Sequence, residues 1–109
     1  VYGDGSQTRD FTFVADAVEA NLLAMNCART GAVFNIGGGS RVMLNEVLET
    51  IQEISSRRAR ISFARSQRGD MKHTMADTTR AERELGYRPR VALKDGLKAQ
   101  WEWLQAFYR

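Results

Sequence analysis

The sequence has 109 residues, 43% of them hydrophobic and 9% aromatic, and its 16 Lys+Arg against 13 Asp+Glu give a net charge of +3. This length and composition predict one small domain over residues 1–109, with a single modest core and a radius of about 13 Å, and leave no room for a second domain. The uninterrupted apolar runs are only a few residues, far from the ~18 that span a bilayer, and no basic stretch precedes an apolar one at the start, so the expectation is a cytoplasmic protein that neither crosses nor enters a membrane.

In chain order, Phe11, Phe13 and Val14 predict a short strand over 10–14. A helix over about 15–29 follows, in which Ala17, Val18, Leu22 and Met25 recur at helical spacing and Thr30-Gly31 provides the stop. Ala32 to Ile36 is β-branched and aromatic and runs into three glycines, which predicts a buried strand. The next helix spans about 44–56, with Leu44, Val47, Leu48, Ile51 and Ile54 on one side and Glu46, Glu49 and Glu53 on the other. Ala59 to Ala64 alternates as a third strand. Asp77 is a good N-cap and Gly86 a good stop for a short helix carrying Leu85, and Tyr87-Arg-Pro89 reads as a connector. Leu93, Leu97, Trp101, Leu104 and Tyr108 define a last amphipathic helix over about 93–108 and are predicted core. The pattern is mixed α/β, with short strands and about four helices.

Several features invite a functional reading and lose it. Thirteen of the sixteen cations are arginine, and Arg57, Arg58, Arg60, Arg65 and Arg68 are bunched, but interspersed acids and the lack of a stacking platform argue against nucleic acid. The turn Gly37-Gly-Gly-Ser-Arg-Val42 lies between a predicted strand and helix, the place for a dinucleotide fingerprint. Val42 stands where the third glycine belongs, and Ala64-Arg-Ser66 ends the following strand in place of an acid, so a plain turn is expected. His73 is the single histidine and Cys27 the single cysteine, which excludes paired-imidazole and cysteine-rich metal sites and an intrachain disulfide, and suits a reducing compartment. Arg68-Gly-Asp70 spells an adhesion tripeptide that a chain without export features has no use for.

Two segments carry more information: Tyr2-Gly-Asp-Gly-Ser-Gln-Thr-Arg-Asp-Phe-Thr-Phe-Val-Ala-Asp16, and the stretch from Gln67-Arg-Gly-Asp70 through Leu85-Gly-Tyr-Arg-Pro89. With Ala32-Val-Phe-Asn-Ile-Gly-Gly-Gly39 between them and Leu93-Lys-Asp-Gly-Leu97 after them, they resemble, in order and over essentially the whole chain, the C-terminal part of extended short-chain dehydrogenase/reductase enzymes. These are the NAD-dependent sugar-nucleotide epimerases and dehydratases, and the resemblance extends to UDP-glucose and UDP-glucuronate 4-epimerases.

The resemblance implies a small substrate-binding domain standing without its Rossmann domain. It places Tyr2 near the nucleotide base, Arg9 on the diphosphate and Asp70 near a ribose hydroxyl of a UDP- or dTDP-sugar. Gln67 stands where many members carry a second phosphate-binding arginine, with Arg65 or Arg68 the nearest replacement for its charge. Met43 stands where a hydroxyl residue usually caps a helix.

The family's Tyr-x-x-x-Lys is absent. Ser6 and Val91 follow Tyr2 and Tyr87 at that spacing, and nothing follows Tyr108. The N-terminal glycine-rich nucleotide motif is absent as well, so the expectation is no catalytic residue, no cofactor bound by this chain alone, NAD held only by a complete enzyme, and no turnover by these residues in isolation. The partner covering the chain would be the missing Rossmann domain or a second copy of itself. The competing reading is a stand-alone, self-associating binding module derived from the same family.

Overall fold

A computed structural model describes residues 1–108 and contains two short strands and four helices. Strand β1 (Thr8–Asp10) pairs antiparallel with β2 (Arg41–Met43), Thr8 facing Met43, Arg9 facing Val42 and Asp10 facing Arg41. Helix α1 covers Val14–Met25, α2 Leu44–Ser55, α3 Thr79–Leu85 and α4 Leu93–Phe107. The four predicted helices are all present, and Gly86 ends α3 in the left-handed conformation (φ 69°) that favours glycine.

The strands depart from expectation. The first lies at 8–10, because Phe13 is already the N-cap of α1. Residues 32–36, expected as a buried strand, are only partly buried and alternate: Ala32, Phe34 and Ile36 are half-buried while Val33 and Asn35 are exposed. No strand among the described residues runs alongside them, and Val33 instead accepts a hydrogen bond from Arg80 Nη1 at 3.1 Å. Residues 59–64 are exposed and contribute one isolated parallel bridge, Tyr2 with Ala64. β2, by contrast, is three residues long and too short to show a period.

The core is thin. Ala20 of α1, Ala81 of α3 and Tyr87 are buried together, with Leu23, Phe34, Ile36 and Leu85 packed around them. Tyr87, a connector in the sequence reading, is the largest fully buried side chain. Its hydroxyl donates to the Gly37 carbonyl at 2.8 Å, and burial, followed by the charges of Asp16 and Asp10, pushes its pKa up. Buried Asp16 accepts the backbone N–H groups of Arg90 (3.0 Å) and Val91 (3.2 Å), tying the approach to α4 onto the start of α1. Gly96 of α4 sits against Phe13, where a Cβ would come within 2.9 Å of the ring.

A second packing region joins α2 to α4, with Val47 buried and Leu93, Leu97, Trp101 and Leu104 half-buried. Tyr108, predicted core, is exposed and meets Phe107 edge-on, while Phe107 stacks on Trp103, both pairs having centroids 5.2 Å apart. The helical row Val14, Val18, Leu22 and Met25 also faces outward, because α1 turns Asp16, Ala20 and Leu23 inward. The result is a slab of 49 × 38 × 18 Å with a radius of gyration of 16.5 Å, larger than the 13 Å expected of a sphere-like domain. No helix of the described residues is long and apolar enough to cross a membrane.

Candidate functional site

The first ten residues run between two distant parts of the chain. On one side Leu44 N–H donates to Gln7 O (3.0 Å) and Asn45 N–H to Gly5 O (3.1 Å), so the start of α2 is bound to the Gly-Asp-Gly turn. Gly5 is buried against the Asn45 side chain in the left-handed region (φ 78°), a place no other residue could fill without displacing that side chain. On the other side Gly3 N–H donates to Ala64 O, and Thr8 N–H to Lys72 O, both at 2.9 Å. Thr8 Oγ1 also pairs with His73 Nδ1 at 2.9 Å, which gives the histidine a structural partner.

This double attachment brings Arg9 and Asp70 together. Arg9 Nη2 donates to Asp70 Oδ1 at 2.5 Å, and Nη1 reaches the Thr8 carbonyl at 2.9 Å. Asp10, the next residue of β1, points the other way: its carboxylate accepts Gly38 N–H at 2.6 Å and Ala76 N–H at 3.2 Å. One strand thus presents a guanidinium to the surface and anchors itself with a carboxylate on the far face, as alternation along a strand requires.

Beside the ion pair lies an open cleft of about 370 Å³, walled by the Tyr2–Gln7 turn and by Ser66, Asp70, Met71 and Lys72. The Tyr2 side is 54% exposed, leaving an aromatic face available. Asp4 accepts both the N–H and the hydroxyl of Ser6, and these two bonds hold its carboxyl below the ordinary range against a small desolvation cost.

Of the residues picked out by sequence, Tyr2 and Asp70 therefore line the cleft and Arg9 adjoins it through Asp70. Gln67 and Arg68 lie on the exposed loop tip, where Asp70 N–H closes a turn on the Gln67 carbonyl, and neither belongs to the cleft wall. Lys72, Asp4, Ser6 and Gln7 were missed. The available hints were that Asp4, Ser6 and Gln7 lie within the Tyr2–Asp16 segment and that Lys72 is two residues from Asp70.

The glycine turn at 37–39 does not fit a dinucleotide. A Cβ at Gly37 would strike the Asp10 carboxylate and Ala76, and one at Gly38 would strike the Phe11 carbonyl. The space beside these glycines is filled by the chain's own atoms, and the Gly38 N–H is already committed to Asp10. Pyrophosphate binding by a glycine-rich turn needs open space and free N–H groups.

A strand bearing an outward guanidinium, paired with an aspartate beside a cleft that Tyr2 also lines, places a hydrogen-bond donor fork of the geometry that suits anionic oxygens at the surface. Residues 1–100 match the GDP-mannose 4,6 dehydratase family, and the chain belongs to it. An uncharacterized UDP-glucose epimerase of Bacillus subtilis is 34% identical over 110 residues, 100% of this chain and 35% of the relative. The dTDP-glucose 4,6-dehydratase of an Actinoplanes species is 37% identical over 107 residues, 97% of this chain and 33% of its own. The crystal structure of UDP-glucuronic acid 4-epimerase from Bacillus cereus, in complex with UDP-glucuronic acid and NAD, superposes with a TM-score of 0.91 at 34% identity, over 99% of this chain and 35% of that one. The chain thus spans about a third of the length of these relatives, which are sugar-nucleotide epimerases and dehydratases.

Proposed function

We propose that this chain is the sugar-nucleotide-binding portion of an NAD-dependent epimerase or dehydratase, taking a UDP- or dTDP-sugar and depending on a dinucleotide-binding domain outside these residues for catalysis. The observation that carries the reading is the Arg9–Asp70 pair beside the cleft lined by Tyr2. A guanidinium is a planar donor fork suited to phosphate oxygens, and Arg9 is held in place by two carbonyls and a carboxylate. Asp70 is an acceptor for ribose hydroxyls, and the exposed Tyr2 ring is a surface for a base to stack on.

Proton transfer is not assigned to these residues. Tyr87 is buried with its hydroxyl donated to Gly37 and its pKa raised, and Ser6 and Val91 stand where a lysine would follow Tyr2 and Tyr87. NAD, when bound by such a domain, supplies hydride acceptance and return. The outward row Val14, Val18, Leu22 and Met25 is the surface offered to that domain. The same row supports a second reading, in which another copy of the chain covers it and the protein acts as a self-associating binding module.

Titration of the purified protein with UDP, UDP-glucuronate and NAD, followed by amide NMR, tests the first reading. The expected result is shifts at Tyr2, Arg9 and Asp70 with both UDP compounds. Silence with both, or shifts confined to other regions, overturns it.

A further inference from the structure

We propose that Lys72 is a second phosphate-contacting cation of this cleft, working with Arg9 on the diphosphate of the bound nucleotide; the inference rests on the sugar-nucleotide reading above. The backbone fixes its position. Lys72 O accepts Thr8 N–H at 2.9 Å and lies 3.5 Å from Arg9 Nη1, so the two cationic residues are joined at one junction between the first segment and the 64–74 segment.

The side chain lines the cleft together with Tyr2 and Asp70. Among the described residues the ammonium lies within ion-pair distance of no carboxylate, whereas Arg9 has committed one nitrogen to Asp70. Lys72 is close enough for its charge to be felt at Asp4 across the opening.

Charge arithmetic favours the residue for this role. Asp4 and Asp70 together set two negative charges at this cleft, and Arg9 alone leaves the balance at minus one, a repulsive setting for a diphosphate. Lys72 brings the balance to zero before ligand enters. Gln67 adds no charge, and Arg65 and Arg68 are exposed outside the cleft wall. A flexible ammonium stem can then follow the ligand's phosphates while the guanidinium stays fixed.

The test is calorimetric binding of uridine, UMP and UDP to wild-type protein, Lys72→Met, Lys72→Arg and Arg68→Gln at low ionic strength. Loss of one charge-assisted contact predicts UDP affinity about tenfold weaker in Lys72→Met, a smaller loss with UMP and none with uridine, and recovery of most of the UDP affinity in Lys72→Arg. Retained uridine binding certifies the fold of each variant. UDP affinity unchanged in Lys72→Met, an equal loss for uridine and UDP, or a loss in Arg68→Gln in place of Lys72→Met overturns the assignment. Failure of wild-type protein to bind UDP overturns the sugar-nucleotide reading itself, and this inference with it.

Discussion

Arg9 and Asp10 divide the labour of one short strand. The guanidinium pairs with Asp70 beside the cleft, and the carboxylate behind it receives one backbone N–H from the 37–39 turn and one from Ala76. The turn is held from its other end by the Tyr87 hydroxyl. Tyr87→Phe removes that donor, leaves a carbonyl in a buried setting without its partner and keeps the ring packing intact. The expected loss is about 1–2 kcal/mol of stability, read as a lower denaturation midpoint in urea with unchanged slope. At this scale the sequence was legible in singling out Arg9 and Asp70, which the fold brings together as an ion pair. It was opaque for Tyr87 and Asp10, whose importance comes from partners 50 and 66 positions away that no local pattern announces.

Among the elements, α2 and α4 were read to within a residue because their apolar faces repeat over several turns, whereas α1 ends at Met25, short of the expected stop at Thr30-Gly31, and seven-residue α3 was legible through Gly86 at its end. The strands were not, since three residues of β1 or β2 contain no period and the alternating run 32–36 has no neighbour among the described residues. Helix α3 carries an electrostatic device of its own: Glu84 is approached by Arg29, Arg80 and Arg83 at 3.2–3.3 Å. Burial pushes its carboxyl up, but hydrogen bonds from Arg83 and Arg80 and the surrounding arginine charge outweigh it and hold the pKa below the ordinary value. A carboxylate more acidic when folded than when unfolded stabilises the protein fully above its unfolded pKa. That contribution disappears as pH falls through the lower, folded value. Denaturation midpoints measured from pH 6 down to about pH 3 should therefore fall less steeply for Glu84→Gln than for wild type.

For the whole molecule, the slab shape and the outward apolar row belong together. A thickness of 18 Å leaves, among the described residues, only Ala20, Val47, Ala81 and Tyr87 as buried apolar residues, and much of the large apolar surface of α1 remains uncovered. Such a row is expected to be covered by another surface. Val18→Glu places a charge at its centre without touching the buried core, so the fold should survive while association weakens. Light scattering on wild type and variant over a range of concentrations checks this. Equal masses for the two, both of a single chain, would rule out a second copy as what covers the row.

The cleft joins residues 61 positions apart, as the Arg9–Asp70 contact records, and its two walls are stitched by backbone bonds from Gly3 and Thr8 to residues beyond 60. Closing so long a loop costs chain entropy before any contact repays it. The cleft therefore has no nascent form in a partly folded chain. On the proposed function, nucleotide binding would be a readout of completed folding, and a ligand that binds only the native state draws the folding equilibrium toward it by mass action.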